Sequence, residues 1–290
     1  MKWSVFLYTF LLVTSIYSCQ RDIMPPQQED FPRLVPVIHQ YGSEAPQFGQ
    51  LRMPERDGKV PVIMIIHGGC WVSFYDLGLM EKMADSLTRE GYATWNIEYR
   101  RIGDQGGGWP GTFNDVARAL KHLETLALTY PLDLDNILVT GHSAGGHLAL
   151  YLGAESKLSP QSELKSDDLP RIKGIVSLAG ITDLEDYYQP MGCGSNVIGL
   201  TGGSASEYPE RYFDGSPINH LPLNVPQILV HGQGDFIVPL SHVTPYYEKA
   251  KAEGETIELI DINGAGHFEL INPGSTAWNS VTGAFSRLLN

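Results

Sequence analysis

Three side chains of this sequence could together activate a hydroxyl group for attack on a carbonyl carbon: Ser143, Asp235 and His267. A serine hydroxyl is a poor nucleophile until a base removes its proton. A neutral imidazole can do this near neutral pH and can later return the proton to the leaving group. A carboxylate beside the imidazole fixes its tautomer and stabilises its charged form. The chain therefore holds the groups that acyl transfer through a covalent intermediate requires.

The local sequence around Ser143 predicts that this residue is the nucleophile. It lies in a Gly-x-Ser-x-Gly pattern over residues 141–145, between an apolar, β-branched strand candidate and a helix candidate. Glycines are needed because a tight strand-to-helix turn leaves no room for side chains beside the serine. The turn holds the serine oxygen near a helix N-terminus, whose amides and dipole favour negative charge.

Asp235 and His267 each follow an apolar strand candidate, at residues 227–232 and 256–262, and each lies in a turn that contains glycine. The chain order of serine, aspartate and histidine is the one expected for a triad on strands of a parallel sheet. Asp183 is an alternative acid, although its position after another strand favours a turn or a helix cap. We therefore predict Asp235 as the acid and His267 as the base.

A glycine-rich loop, His67-Gly68-Gly69-Cys70-Trp71, follows the apolar run at residues 60–66. Consecutive glycines at the end of a strand can expose backbone N–H groups to a ligand, so the loop predicts donors for an oxyanion. Trp71 is expected to line the acyl pocket or to pack behind the loop. His142, at the variable position of the serine turn, is expected to be structural or pocket-lining.

Composition restricts the partners and cofactors. A formal net charge of −13 disfavours a nucleic-acid partner and a basic membrane-binding surface. The sequence has no metal-ligand spacing and no phosphate-binding motif, so we expect neither metal nor cofactor. Cys70 and Cys193 show no disulfide framework, and we expect both to be free thiols.

The N-terminal residues resemble an export signal of the lipoprotein type. An apolar run at residues 3–17 follows Lys2 and is too short for a confident membrane span. We expect a signal peptide over residues 1–19, with Cys19 as the lipidated residue, and a flexible tether over residues 20–33. Membrane contact would then be through the lipid alone, and the protein would be exported, either anchored or periplasmic or secreted.

Residues 34–290 are predicted to form one α/β domain. Strand candidates lie at residues 34–39, 48–53, 60–67, 92–99, 136–141, 172–178, 227–232 and 256–262, and helix candidates at 77–90, 110–129, 144–152, 241–253 and 275–289. Their alternation predicts a mostly parallel eight-stranded sheet with helices on both faces. Residues 181–226 have no clear period and are predicted to be a lid-like insertion.

The His67–Trp71 loop, the Gly141–His147 turn, Asp235 with Val238-Pro239, and His267-Phe268 together resemble the esterase/lipase type of the α/β-hydrolase superfamily. Within it, the chain is most similar to the kynurenine formamidase and small carboxylesterase branch. The resemblance implies an α/β-hydrolase fold and an oxyanion hole built from the amides of Gly69, Cys70 and Ala144. It also implies a cofactor-free serine hydrolase whose partner is a small ester or amide.

Several functions remain open at this point. The main expectation is hydrolysis of a small carboxylic ester, with an acetyl or feruloyl group on a carbohydrate suggested by export and by analogy alone. The alternatives are an arylformamidase acting on N-formyl-kynurenine-type amides, a prolyl-oligopeptidase-like peptidase, and a non-catalytic binding protein of the same fold.

Overall fold

The structure is a computed structural model that describes residues 34–187 and 193–290. The predicted signal peptide and tether, including Cys19, lie outside the described residues. So does the short stretch 188–192 of the predicted insertion. Within the described residues, no helix is both long and apolar enough to cross a membrane.

Eight strands form a single sheet, as the sequence predicts. They are β1 (Val37–Gln40), β2 (Phe48–Arg52), β3 (Val60–Ile66), β4 (Ala93–Ile97), β5 (Leu132–His142), β6 (Gly174–Leu178), β7 (Gln227–Gly232) and β8 (Ile257–Ile262). Their order across the sheet is β1-β2-β4-β3-β5-β6-β7-β8. β2 pairs antiparallel with β1 and β4, and all the other pairs are parallel. The predicted mostly parallel sheet is thus confirmed.

Eight α-helices lie in the described part of the chain. They are α1 (Glu81–Arg89), α2 (Gly111–Leu126), α3 (Ala144–Ala154), α4 (Leu184–Tyr187), α5 (Val197–Thr201), α6 (Pro209–Gly215), α7 (Leu240–Ala252) and α8 (Trp278–Leu289). The five long helices are those that the sequence predicts. α4, α5 and α6 lie within the insertion at residues 181–226 and were not predicted, because helices of four to seven residues are too short to show a period.

The sheet is covered on both faces because its central strands are apolar on both sides. Along β3, Val62, Met64 and Ile66 pack in the core with α2, α3 and α7, whereas Ile63 and Ile65 pack in the core with α1 and α8. α3 is buried along its whole length and follows β5 directly. This places the serine turn in the middle of the molecule, at the carboxyl edge of the sheet.

Candidate active site

Four loops meet at one edge of the sheet because β3, β5, β7 and β8 run parallel and end there. The glycine-rich loop follows β3, Ser143 follows β5, Asp235 follows β7 and His267 follows β8. Ligand sites of open parallel sheets lie outside the carboxyl ends of the strands. The three predicted triad residues therefore come from distant segments to one place.

Ser143 occupies a strained backbone conformation between β5 and α3. Its φ of 56° and ψ of −119° lie outside the regions that non-glycine residues prefer. A side chain at Gly141 would collide with the carbonyl of Gly145, and one at Gly145 would collide with the carbonyl of Ile66. The two glycines are thus required by close backbone approach, as the sequence pattern predicts.

Asp235 and His267 form a direct buried pair. His267 Nδ1 donates to Asp235 Oδ2 at 2.6 Å, and Asp235 Oδ1 accepts the amides of Ile237 and Val238, each at 2.9 Å. Burial alone would raise the pKa of the Asp235 carboxyl group. Its interactions with His267, together with the Val238 amide, outweigh burial and lower this pKa. Asp235 therefore stays ionised and holds the imidazole with its Nε2 directed away from the carboxylate.

The turns that carry Asp235 and His267 are packed against each other by their backbones. The amide of Gly234 donates to the carbonyl of Ala265 at 2.9 Å, and a side chain at Gly232 would clash with the same carbonyl. The geometry of the Asp235–His267 pair is therefore fixed by main-chain contacts as well as by the side-chain hydrogen bond.

His142 connects the serine turn to the base. Its Nε2 donates to the carbonyl of His267 at 2.9 Å, and the two rings lie 4.4 Å apart. Within residues 34–187 and 193–290, the Ser143 hydroxyl makes no direct hydrogen bond to the His267 ring. Bonds between a nucleophile and its base are often long until substrate is bound. The hydrogen bond from His142 to the backbone of His267 thus joins the His267 turn to the serine turn.

His142 is held in its neutral form. Burial is the main cause that lowers the pKa of its ring, to about 3, and the nearby His267 ring adds to this effect. Because Nε2 donates to a carbonyl, the buried Nδ1 is the unprotonated nitrogen, and it has no partner in the described structure. Its predicted contact with substrate stays a prediction.

The glycine-rich loop lies against the serine. A Cβ built on Gly68 would lie 3.0 Å from His142 Nδ1 and 3.2 Å from Ser143 Cβ. In the described chain, the amides of Gly69, Cys70 and Ala144 donate no hydrogen bond to other protein groups. Cys70 and Trp71 have positive φ values of 54° and 57°. The loop, with its amides of Gly69 and Cys70, and the first residue of α3, with the amide of Ala144, therefore leave three amides available beside the serine.

A buried contact between His67 and Glu98, which sequence reasoning missed, supports this loop. His67 Nδ1 faces the carbonyl of Gly68 at 2.7 Å and His67 Nε2 faces Glu98 Oε1 at 2.9 Å. Glu98 also accepts the amides of Leu77 and Tyr99. The sequence offered one signal for this contact: Glu98 directly follows the apolar strand β4, and a buried carboxylate requires a hydrogen-bond partner.

Trp71 is fully buried behind the loop. Its Nε1 donates to Nδ1 of His147 at 3.3 Å, and Nε2 of that histidine donates to the carbonyl of Gly215 at 2.7 Å. These two hydrogen bonds connect the loop after β3 with α3 and with the insertion. Trp71 thus packs behind the loop, which is one of the two positions that the sequence left open. A contact with the acyl group stays a prediction.

The expectation of free thiols is wrong, because Cys70 and Cys193 form a disulfide. The two residues are 123 positions apart, and their Cα atoms lie 5.1 Å apart, a distance that suits a disulfide. Pattern reasoning could not find this pair, since only the fold brings the insertion over the loop after β3. The Cys193 amide also donates to the Tyr187 hydroxyl, which donates to the carbonyl of Ile237. The disulfide thus connects the glycine-rich loop, the insertion and the acid turn.

Most of the chain is similar to known proteins. The BD-FAE family profile matches residues 50–249, more than half of the chain. The chain belongs to the BD-FAE family. The BD-FAE protein is 28% identical over 212 residues to a probable carboxylic ester hydrolase, LipM, and 27% identical over 226 residues to the esterase LipC, both from Mycobacterium tuberculosis. These matches cover 69% and 74% of this chain, and 47% and 55% of the two relatives. The chain therefore spans about half the length of these curated relatives.

Solved structures show the same fold. A bifunctional GH43-CE protein of Bacteroides eggerthii superposes with a TM-score of 0.74 at 23% identity, over 87% of this chain and 38% of that chain. A truncated carbohydrate esterase from gut microbiota gives a TM-score of 0.75 at 21% identity, over 89% and 96% of the two chains. Together with the family match, these structures show that the BD-FAE protein has the α/β-hydrolase fold.

The remaining candidate residues of the BD-FAE protein have structural partners. Asp183 Oδ1 accepts the amides of Glu185 and Asp186, which confirms the predicted cap at α4. His231 Nε2 donates to the carbonyl of Val238 at 2.7 Å. The described residues contain no group of three or more His, Cys, Asp and Glu side chains that could hold a metal ion.

The disulfide yields a first prediction. We expect Cys193→Ser to lower the free energy of unfolding by roughly 2–5 kcal/mol, because the cross-link restricts the unfolded chain. It should also lower kcat/KM for esters, because the disulfide holds the loop on which the Cys70 amide is the predicted oxyanion donor. Urea unfolding and ester turnover with and without dithiothreitol measure both effects. The Cys70→Ser/Cys193→Ser double variant is the control and should not respond to the reductant. An unfolding midpoint of the unmodified protein that is unchanged by complete reduction would contradict the prediction.

The buried His147 predicts acid lability. Burial is the main cause that lowers the pKa of its ring, to about 4, and the nearby His242 ring adds to this effect, whereas the hydrogen bond from Nε2 to the carbonyl of Gly215 opposes it. In the unfolded chain this pKa returns to about 6.5. The unfolded state therefore binds the proton first, and stability is complete above pH 6.5 and falls as the pH drops towards 4, by about 3 kcal/mol from this group. Denaturant unfolding from pH 7 to 4 should show a shallower fall for His147→Gln, and an identical slope would refute this assignment.

Proposed function

We propose that this BD-FAE protein is a serine esterase that cleaves small carboxylic esters through an acyl-enzyme intermediate. The observation that carries the proposal is the convergence at one sheet edge of a strained serine turn, a buried Asp–His pair and three unpaired backbone amides. The esterases LipM and LipC among its relatives support the same class of reaction. The triad roles of Ser143, Asp235 and His267 are part of this proposal.

Each group has one role in the proposed reaction. His267 Nε2 takes the proton from the Ser143 hydroxyl as its oxygen attacks the ester carbonyl carbon. The amides of Cys70 and Ala144, with that of Gly69, receive the negative charge on the carbonyl oxygen, and one such donor is typically worth about 3 kcal/mol. The imidazolium then gives its proton to the departing alcohol. Water repeats the sequence on the acyl-serine and releases the acid.

The buried carboxylate makes this cycle possible. Asp235 faces the ring at 2.6 Å and is held by two further amides, so it stabilises the imidazolium without taking its proton. Two of the three proposed oxyanion donors, the amides of Gly69 and Cys70, lie on a loop anchored by the His67–Glu98 hydrogen bond and by the Cys70–Cys193 disulfide. Donors that are fixed before the reaction need no reorganisation when charge develops.

We also propose that the protein acts outside the cytoplasm on esters linked to carbohydrate. The disulfide supports an oxidising compartment, and carbohydrate esterases stand among the structural neighbours. The lipid anchor at Cys19 remains part of the proposal. Radiolabelled palmitate incorporation that Cys19→Ala abolishes would support it, and soluble protein without label would overturn it.

The test of the reaction is covalent trapping. We expect a fluorophosphonate to add one mass equivalent to the Ser143 peptide and to stop hydrolysis of p-nitrophenyl acetate at the same stoichiometry. N-formyl-kynurenine assayed beside the acetate ester decides between esterase and formamidase. A label on another residue, or acetate turnover that survives complete labelling, would overturn the proposal.

A further inference from the structure

Two exposed phenylalanines directly follow the acid and the base. Phe236 comes after Asp235 and is 83% exposed, and Phe268 comes after His267 and is 50% exposed. A single exposed apolar residue is ordinary on a protein surface. These two, however, lie on neighbouring turns. The side chains of Asp235 and His267 join the two turns by a 2.6 Å hydrogen bond, and the backbones of the turns are also in contact.

The position of the Phe268 ring is set by its packing on the site. Its centroid lies 5.1 Å from the His267 ring, nearly perpendicular to it, and 5.6 Å from the His142 ring. The turn behind it is closed by the Glu269 carboxylate, which accepts the amide of Gly266 at 3.0 Å. One part of the ring is thus fixed against the proposed base, while half of its surface remains open to a ligand.

The proposed reaction determines which part of an ester lies at this place. The carbonyl oxygen points to the loop after β3, whereas the leaving oxygen must face His267, because that ring protonates it. The alcohol portion therefore leaves past Phe268. We infer that the preferred leaving alcohol carries a flat ring that stacks on Phe268, with Phe236 as a second contact. This inference rests on the proposed function and specifies its substrate class.

A flat face of this kind is offered by an aryl ring or by the C–H face of a pyranose. Three acetate esters separate these sources: ethyl acetate, 2-phenylethyl acetate and an acetylated methyl pyranoside. The first two alcohols are both primary, so their intrinsic reactivities are similar, and a difference in kcat/KM reports recognition. We expect 2-phenylethyl acetate to exceed ethyl acetate by roughly tenfold, the size of one good ring contact. If instead kcat/KM for the acetylated pyranoside exceeds that for ethyl acetate by this factor, the preferred ring is that of a sugar.

The variants test whether Phe268 causes the preference. We expect Phe268→Ala to lower the ratio of ring ester to ethyl ester by about fivefold and Phe268→Trp to restore it, because an indole offers the same flat face. Phe236→Ala should lower the ratio less. The control is Leu128→Ala, which should leave the ratio unchanged. Leu128 is an apolar residue about as exposed as Phe236, and it lies between α2 and β5, near the opposite edge of the sheet.

The outcomes distinguish this inference from the proposed function. Equal kcat/KM for the ethyl and both ring esters, or a ratio that Phe268→Ala does not change, would overturn the ring contact while ester hydrolysis stands. No hydrolysis of any of the three acetates by folded protein would overturn the proposed function itself.

Discussion

Ser143→Ala is expected to lower kcat for p-nitrophenyl acetate by about 10,000-fold to a million-fold while the protein remains folded. The hydroxyl is the proposed nucleophile, and no water held by the same amides would match its effective concentration. The substitution removes one oxygen atom. The amide of residue 143 keeps its 2.8 Å bond to the carbonyl of Leu178, and alanine tolerates the positive φ about as well as serine does.

Single-turnover and steady-state assays, together with thermal unfolding, check this prediction. Ser159→Ala, a substitution of an exposed serine in the loop after α3, provides the matched control and should keep full activity. If Ser143→Ala retained more than a hundredth of the original kcat, water attack without a covalent intermediate would be the better mechanism.

Asp235→Asn is expected to lower kcat by about 10,000-fold, because the change reverses the tautomer of the base. The amides of Ile237 and Val238 both donate to Oδ1, so an asparagine must place its carbonyl oxygen there and turn its NH₂ group towards His267. The Nδ1 atom of His267 must then accept, which leaves the proton on Nε2. A ring protonated at Nε2 cannot take the proton of Ser143.

The control for this variant is Asp183→Asn, which alters the other aspartate that the sequence left open. Asp183 caps α4, and asparagine caps almost as well, so activity should fall by less than about twofold. Nitrogen-15 NMR of the imidazole would report the tautomer directly, and an unchanged Nδ1–H signal in Asp235→Asn would contradict this explanation. Comparable losses in the two variants would contradict the assignment of the acid.

The fold could be predicted because its signals are local. All eight strands and the five long helices follow from apolar runs and helical periods, with differences at their ends. β5 begins at Leu132, four residues before the predicted start. The prediction missed these four residues because residues 132–135 alternate apolar and acidic residues and show no continuous apolar run. The short helices of the insertion were missed because two turns or fewer carry no periodic signal.

The sequence by itself determined that a serine, a carboxylate and an imidazole each follow a strand, because strand patterns and glycine turns depend on near neighbours. Only the tertiary structure decided that Cys70 meets Cys193, that His142 donates to the carbonyl of His267, and that Glu98 supports the loop after β3. These contacts join residues 31 to 125 positions apart. Such pairs produce no periodic pattern in the sequence, because the two partners meet only when the parallel strands align their ends. Folding then buries these polar groups, and buried polar groups require hydrogen-bond partners.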